Sequence, residues 1–120
     1  MNDLVEKIKS KNLRYANLSY ADLISADLSY ANLSYTDLKG AMLSNCIGNG
    51  NEIKTLIIDK WIITYTTDQM AIGCKQHSLK QWMAIDDAEI YKIGDGALEF
   101  WHKYKPILQA LFIAQKIKFD

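Results

Sequence analysis

Leucine recurs at every fifth position in the first part of the chain. The positions are Leu13, Leu18, Leu23, Leu28, Leu33, Leu38 and Leu43, mostly with alanine two residues earlier and asparagine or aspartate one residue earlier. Five residues turn an α-helix by about 500°, so successive leucines would share no helix face. An odd spacing would send them to opposite faces of a strand. Only a backbone that bends once in every five residues places all the leucines inside, and we expect all seven to be buried.

The segment from Ala16 to Leu28 reads A-N-L-S-Y-A-D-L-I-S-A-D-L. It resembles the pentapeptide-repeat family, whose repeat is A-(D/N)-L-x-x. The resemblance covers residues 11–45 and implies a short right-handed quadrilateral β-helix with four pentapeptides in each coil. Residues twenty apart are then expected to stack, as Tyr15 on Tyr35. Because fewer than two coils leave both ends of the core open, we predict that residues 4–8 cover one end and the rest of the chain closes the other.

The regular repeat stops at Cys46, and the pattern changes. The Gly-Asn-Gly-Asn sequence at 48–51 predicts a turn. Apolar, β-branched runs then predict a three-stranded antiparallel meander over 53–58, 61–66 and 70–73. Two capping-box spacings predict helices after Ser78 and Asp86, and a third helix is expected from Asp95 past Pro106.

These patterns divide the chain into two regions. We predict an N-terminal cap plus pentapeptide-repeat β-helix over 1–46, followed over 47–120 by a β-meander and helical subdomain that caps the solenoid. The fold class is therefore mixed β/α.

Charge and hydropathy limit the functions that the chain can have. Fourteen basic and fourteen acidic side chains cancel, so neutralisation of duplex phosphates is not expected. The first residues lack the basic, apolar and small-residue order of a signal peptide, and no apolar run reaches the roughly 20 residues that span a bilayer. We expect a cytoplasmic protein with reduced thiols that binds neither membrane nor nucleic-acid duplex.

The sequence contains one arrangement with metal-ligand spacing, Cys74-x-x-His77. Cys46 and His102 would complete four zinc ligands. Structural zinc sites usually have two short-spaced pairs, however, and here there is one. The alternative interpretation is a buried cysteine beside a solvent-facing histidine. We predict no metal, no cofactor, no catalytic residue and no enzymatic activity.

Candidate binding residues are mainly aromatic. Tyr15, Tyr20, Tyr30 and Tyr35 end four pentapeptides and are expected to face outward, either to bind a partner or to cover the flanks of the solenoid. Lys75 and His77, expected on a loop after a strand, are placed to meet an anionic ligand. Trp82 and the tyrosines have rings on which a base could stack.

A second resemblance concerns the C-terminal part. Residues 72–77, Trp82 and residues 97–105 are similar to a tail that accompanies pentapeptide repeats in bacteriophage proteins. It implies a phage protein acting in the cytoplasm of a bacterial host. We expect a binding protein that inhibits a host macromolecule such as a defence-system component. One alternative is an oligomeric sponge that sequesters a cyclic or other nucleotide immune signal. A further alternative is a DNA-mimicking topoisomerase inhibitor, although Asp22, Asp27 and Asp37 make only a short acidic row.

The apolar residues near the C-terminus also predict self-association. Between residues 107 and 114 they run nearly all round the predicted helix, more widely than one buried face requires. We expect a homodimer with this helix or the tyrosine flank at its interface. The competing expectation is a monomer in which Phe112 and Ile113 fold onto the open end of the β-helix.

Overall fold

The computed structural model describes residues 3–118, and this part of the chain contains four helices and four strands. In chain order the elements are α1 (Asp3–Ser10), β1 (Lys54–Ile58), β2 (Trp61–Tyr65), β3 (Gln69–Ile72), β4 (Lys75–Ser78), α2 (Leu79–Ala84), α3 (Asp87–Tyr91) and α4 (Ala97–Ala114).

Between α1 and β1 the backbone winds into a stacked coil, which comprises residues 11–47. Parallel bridges join residues twenty positions apart: Asn12 to Asn32, Asn17 to Asp37, Asp22 to Met42 and Asp27 to Ile47. Two hydrogen bonds accompany each bridge. The Met42 N–H donates to the Ala21 carbonyl at 2.9 Å, and the Leu23 N–H donates to the Met42 carbonyl at 3.0 Å. One turn of the coil therefore takes twenty residues, and the predicted stacking of residues twenty apart is confirmed.

The repeated leucines form the core of the coil. Six are buried: Leu13, Leu18, Leu23, Leu28, Leu33 and Leu43. The expectation that all seven are buried was wrong for Leu38, which is half-buried because it borders an open groove between the coil and Thr66–Asp68. At the N-terminal end, Leu4 and Ile8 of α1 pack against the leucine core, which is the cover predicted there.

The four strands form one antiparallel sheet in the order β1-β2-β3-β4. The turn at 48–51 forms as predicted, since Asn49 Oδ1 accepts from the N–H groups of Asn51 and Ile53. The prediction of three strands was wrong, because Lys75–Ser78 adds β4. Its Lys-Gln-His-Ser sequence has no β-branched or apolar residue, and its strand conformation comes from pairing with β3.

The three C-terminal helices begin close to the predicted positions. The Ser78–Gln81 capping box is complete at the start of α2, and the Asp86 side chain accepts from the Glu89 N–H at the start of α3. Helix α4 continues through Pro106 to Ala114, so the proline does not end the helix.

The sheet separates two hydrophobic cores. On one side, Ile63, Tyr65 and Met70 pack with Trp82 and Phe112 of the helices. Phe112 is therefore in the helix-side core, and the expectation that it folds onto the coil was wrong. Its neighbour Ile113 is 66% exposed, so α4 presents apolar surface outside its buried face.

On the other side, one row of residues across the sheet covers the C-terminal end of the coil. This cap row consists of Thr55, Thr64, Ala71 and Gln76, which face one another from strand to strand. Ala71 packs against the coil core. The hydroxyls of Thr55 and Thr64 donate to the Cys46 carbonyl at 2.9 and 2.7 Å.

Gln76, the fourth member of the cap row, makes two hydrogen bonds to the last turn of the coil. Its Nε2 donates to the Ala41 carbonyl at 2.6 Å, and its Oε1 accepts from the Leu43 N–H at 2.7 Å. The sheet thus satisfies backbone groups that a further turn of the coil would otherwise bind.

Candidate binding surface

The coil turns at corners where the fifth residue of each pentapeptide has a positive φ angle. The corner residues are Tyr15, Tyr20, Ser25, Tyr30, Tyr35, Gly40 and Asn45, with φ between 58° and 68°. At each corner the chain bends in a tight turn, as where the Ala16 N–H donates to the Leu13 carbonyl at 2.9 Å. Turns that need a positive φ favour glycine and asparagine, so tyrosine at four corners is unexpected on backbone grounds.

The second residue of the pentapeptides stabilises these turns. The side-chain Oδ1 atoms of Asn17, Asp22, Asp27, Asn32 and Asp37 each accept from the N–H two residues later at 3.0 Å. The Ser29 hydroxyl, followed by the Ser29 N–H, lowers the pKa of Asp27. The aspartates of the predicted acidic row therefore each use one carboxylate oxygen within their own turn.

The four tyrosines occupy three consecutive corners of the coil and are all exposed, by 65–95%. Tyr15 and Tyr35 share a corner and stack with ring centroids 5.0 Å apart and planes 10° from parallel. The Arg14 guanidinium carbon lies 4.8 Å from the Tyr15 centroid and 5.6 Å from that of Tyr35. We call Arg14 and the four tyrosines the tyrosine surface. Arg14 was not predicted, although its place next to Tyr15 in the sequence is a signal that could have found it.

The other two tyrosines differ in what lies below them. Tyr20 lies over Gly40, where a Cβ would come within 2.5 Å of the tyrosine ring. Tyr30 is 95% exposed, so its ring makes almost no contact with the fold. The corner of Ser25 and Asn45 carries no aromatic residue, and the tyrosine surface ends there.

The remaining predicted binding residues lie on the sheet and in the helix-side core. Lys75 is exposed, but it begins β4 rather than lying on a loop. His77 is half-buried, with its ring edge-on to Trp82 at a centroid distance of 4.9 Å. Trp82 is fully buried and donates from its indole N–H to the Met70 carbonyl at 2.6 Å. The prediction that a base stacks on the Trp82 ring is wrong, because a buried ring has no free face for a ligand.

The cysteines and histidines are dispersed. Cys46 is buried in the coil, and burial, with a smaller effect of Asp27, raises its pKa to about 12. Cys74 is exposed, and His102 Nε2 lies 3.0 Å from Asp87 Oδ1 on the helices. Within residues 3–118, no group of three or more histidine, cysteine, aspartate or glutamate side chains is arranged to hold a metal ion.

None of the helices in the described part of the chain is long and apolar enough to cross a membrane. The stacked coil of twenty-residue turns, with leucines inside and variable residues at its corners, defines a short repeat solenoid. Residues 12–47 match the family model of pentapeptide repeats in eight copies, and the chain is a pentapeptide-repeat protein. Comparisons with curated proteins and with solved structures give no significant match.

Proposed function

We propose that the protein is a non-catalytic, phage-encoded binding protein. It uses the tyrosine surface to bind and inhibit a protein in the cytoplasm of a bacterial host, such as a component of a defence system. The observation that carries the proposal is the placement of four exposed tyrosines at corners with positive φ angles. The resemblance of the C-terminal part to the tail that accompanies pentapeptide repeats in bacteriophage proteins supports the origin.

The backbone argument for this surface is energetic. In the left-handed region, side chains other than those of asparagine and aspartate cost roughly 1 kcal/mol or more relative to glycine. Gly40 and Asn45 occupy equivalent corners, so the coil accepts residues with a smaller cost. Tyr30 gains almost nothing from burial in return, because it is 95% exposed. A role for its ring outside the fold explains why the cost is tolerated.

The chemistry of the surface favours a protein partner. Tyrosine and arginine are enriched at the centres of protein interfaces. Tyr15 and Tyr35 stack on each other within the fold, and such a contact reduces the side-chain freedom that is lost on binding. Asp22, Asp27 and Asp37 make only a short acidic row on fewer than two turns of the coil, which argues against a DNA mimic.

A nucleotide ligand is the second candidate. The Arg14 guanidinium lies over the rings of both Tyr15 and Tyr35, and a base can stack on such rings while the guanidinium meets a phosphate. This arrangement fits the alternative in which an oligomer sequesters a nucleotide immune signal.

Affinity capture from lysate of the bacterial host tests the first proposal. We expect the wild-type protein to retain a specific host protein and the double variant Tyr15→Ala/Tyr35→Ala to lose it. Tyr91→Ala is the matched control, because Tyr91 is 73% exposed but lies on α3, away from the coil. Equal retention by all three proteins would contradict a role for the tyrosine surface.

Native mass spectrometry of gently purified protein tests the second candidate. A bound small molecule with the mass of a nucleotide, lost in the double variant and kept in Tyr91→Ala, would favour a nucleotide over a protein partner. A bound ligand retained in the double variant would place its site elsewhere.

We also infer that the coil is a right-handed quadrilateral β-helix. The twenty-residue turn with corners at five-residue spacing supports four sides, and the hand follows from the family resemblance. An experimental structure with a left-handed coil would contradict this inference.

A further inference from the structure

The two edge strands of the sheet, β1 and β4, differ in how their outward backbone groups are protected from pairing with another strand. The hydrogen bonds that border the β2–β3 ladder establish which backbone groups point outward. The Thr66 N–H donates to the Gln69 carbonyl at 2.9 Å, and the Gly73 N–H donates to the Ile62 carbonyl at 3.0 Å. Since these directions alternate along an antiparallel strand, the even-numbered residues of β2 bind β3 and the odd-numbered residues bind β1.

The same alternation gives the outward groups of each edge. In β1, Lys54, Leu56 and Ile58 bind β2, so the N–H and C=O groups of Thr55 and Ile57 point away from the sheet. In β4, those of Gln76 and Ser78 point away.

The β4 edge is protected. The Ser78 N–H donates to Gln81 Oε1 at 2.8 Å as part of the capping box, and α2 begins at the next residue. Lys75 places an exposed charge at the other end of the strand. Short length and a lysine are common protections of sheet edges against pairing.

The β1 edge is less protected, because its lysine, Lys54, is half-buried and donates from its Nζ to the Asn51 carbonyl at 2.8 Å. Two residues before Thr55, along the same edge, the Ile53 N–H donates to Asn49 Oδ1 and the Ile53 carbonyl accepts from the Gly50 N–H. Within residues 3–118, no such partner meets the outward backbone groups of Thr55 and Ile57. The Ile57 side chain is 69% exposed, and residues 55–58 contain neither proline nor charge.

We propose that β1 pairs with β1 of a second copy of this chain, antiparallel and around a two-fold axis at Leu56. Thr55 of each copy then lies opposite Ile57 of the other, and the two pairs exchange four backbone hydrogen bonds. The paired sheets form one sheet of eight strands. Because the axis is perpendicular to the sheet, both coils stand on the same face and both sets of helices on the other.

A second copy fits this edge because the strand is self-complementary. The outward groups lie symmetrically about Leu56, so every outward donor meets an acceptor. Lys54 falls opposite Ile58, and no like charges oppose each other along the five residues. The contact is small for a protein interface, so association is expected to be weak and concentration-dependent. This inference does not rest on the proposed partner of the tyrosine surface.

Sedimentation equilibrium from about ten to several hundred micromolar tests the pairing. We expect the wild-type mass to rise from 13.7 kDa toward twice that value. Ile57→Pro removes an outward N–H that has no partner within the fold, and this variant should stay monomeric. Ile57→Lys, which keeps the N–H and adds a charge at the edge, should also weaken association.

Ile113→Glu is the matched control, because it alters an equally exposed apolar residue on α4. It should associate as the wild type does. A wild type that stays monomeric at every concentration would overturn the proposal. So would a dimer that persists in Ile57→Pro or dissociates in Ile113→Glu. Circular dichroism establishes that each variant is folded.

Disulfide trapping tests the register in a Cys74→Ser background. Leu56 faces its own copy across the axis in a non-hydrogen-bonded pair with Cα atoms about 4.5 Å apart, within the range for a disulfide. Leu56→Cys should therefore cross-link under mild oxidation. Ile57 is more exposed, but the Ile57 residues of the two copies are offset by two positions along the paired strands. Their Cα atoms are therefore farther apart than the roughly 7 Å limit for a disulfide, and Ile57→Cys should cross-link poorly. Preferential cross-linking of Ile57→Cys would overturn the register.

Discussion

Gln76 shows how one side chain can replace a piece of backbone. Within the coil, Met42 donates to Ala21 and accepts from Leu23. One turn further on, the Gln76 amide donates to Ala41 and accepts from Leu43 in the same pattern. The side-chain amide thus occupies the place of a peptide group in a turn that the chain does not have.

We expect Gln76→Ala to lower the free energy of unfolding by about 2 kcal/mol, because it leaves a carbonyl and an N–H at the end of the coil without partners. Gln69→Ala is the control, since Gln69 lies in the same sheet and its side chain makes no hydrogen bond within residues 3–118. Urea denaturation measures both. Equal losses for the two variants would mean that the amide contributes little.

The same residue marks what the sequence could predict. The coil, its stacked tyrosines and its leucine core follow from a five-residue period that is visible locally. Gln76 binds residues more than thirty positions away, and no local pattern encodes that contact. For the same reason β4 was missed, because its polar sequence forms a strand only beside β3. Trp82 was misplaced because an aromatic residue near other aromatics gives no sign of its depth.

Among the elements, the coil depends on corners that hold a left-handed backbone. Gly40 is a corner of the coil below Tyr20, and Gly50 lies in the turn that follows the coil; their φ angles are 68° and 82°. A Cβ at Gly40 would lie 2.5 Å from the Tyr20 ring, whereas at Gly50 it would meet nothing within 4 Å. Substituting each glycine by alanine therefore separates the free-energy cost of a positive φ angle from the cost of steric crowding.

We expect Gly50→Ala to cost about 1 kcal/mol of unfolding free energy from its positive φ alone. Gly40→Ala should cost more, because the Tyr20 ring must also move. Adding Tyr20→Ala to Gly40→Ala should recover the difference but not the backbone cost. Thermal and urea unfolding of the three variants measure these steps. If Gly40→Ala costs no more than Gly50→Ala, crowding by Tyr20 is not significant.

The whole molecule has two cores that share one sheet. The coil core is closed at its C-terminal end by Ala71 and by Ile53, which precedes β1. The helix-side core uses the opposite face of the same strands. Neither core is complete without the sheet, so we expect the chain to unfold as one cooperative unit.

A fragment that ends at Asn45 should therefore be unfolded or aggregated. It lacks the cap row and leaves the leucine core open to water at its last turn. Circular dichroism during heating is the measurement, with the complete chain as the control, for which one transition is expected. A cooperative transition in the fragment would refute the need for closure by the sheet.

The cap row also has a consequence for how such proteins change length. It meets the last turn of the coil as another turn would, so it does not depend on how many turns lie beneath it. Inserting twenty residues of repeat would move the cap row outward along the coil axis by one strand spacing, about 4.8 Å, and would leave its contacts with the last turn intact. Gene duplication could thus extend the outer surface in fixed steps while the C-terminal part stays unchanged. The same sheet could therefore cap coils with different numbers of turns.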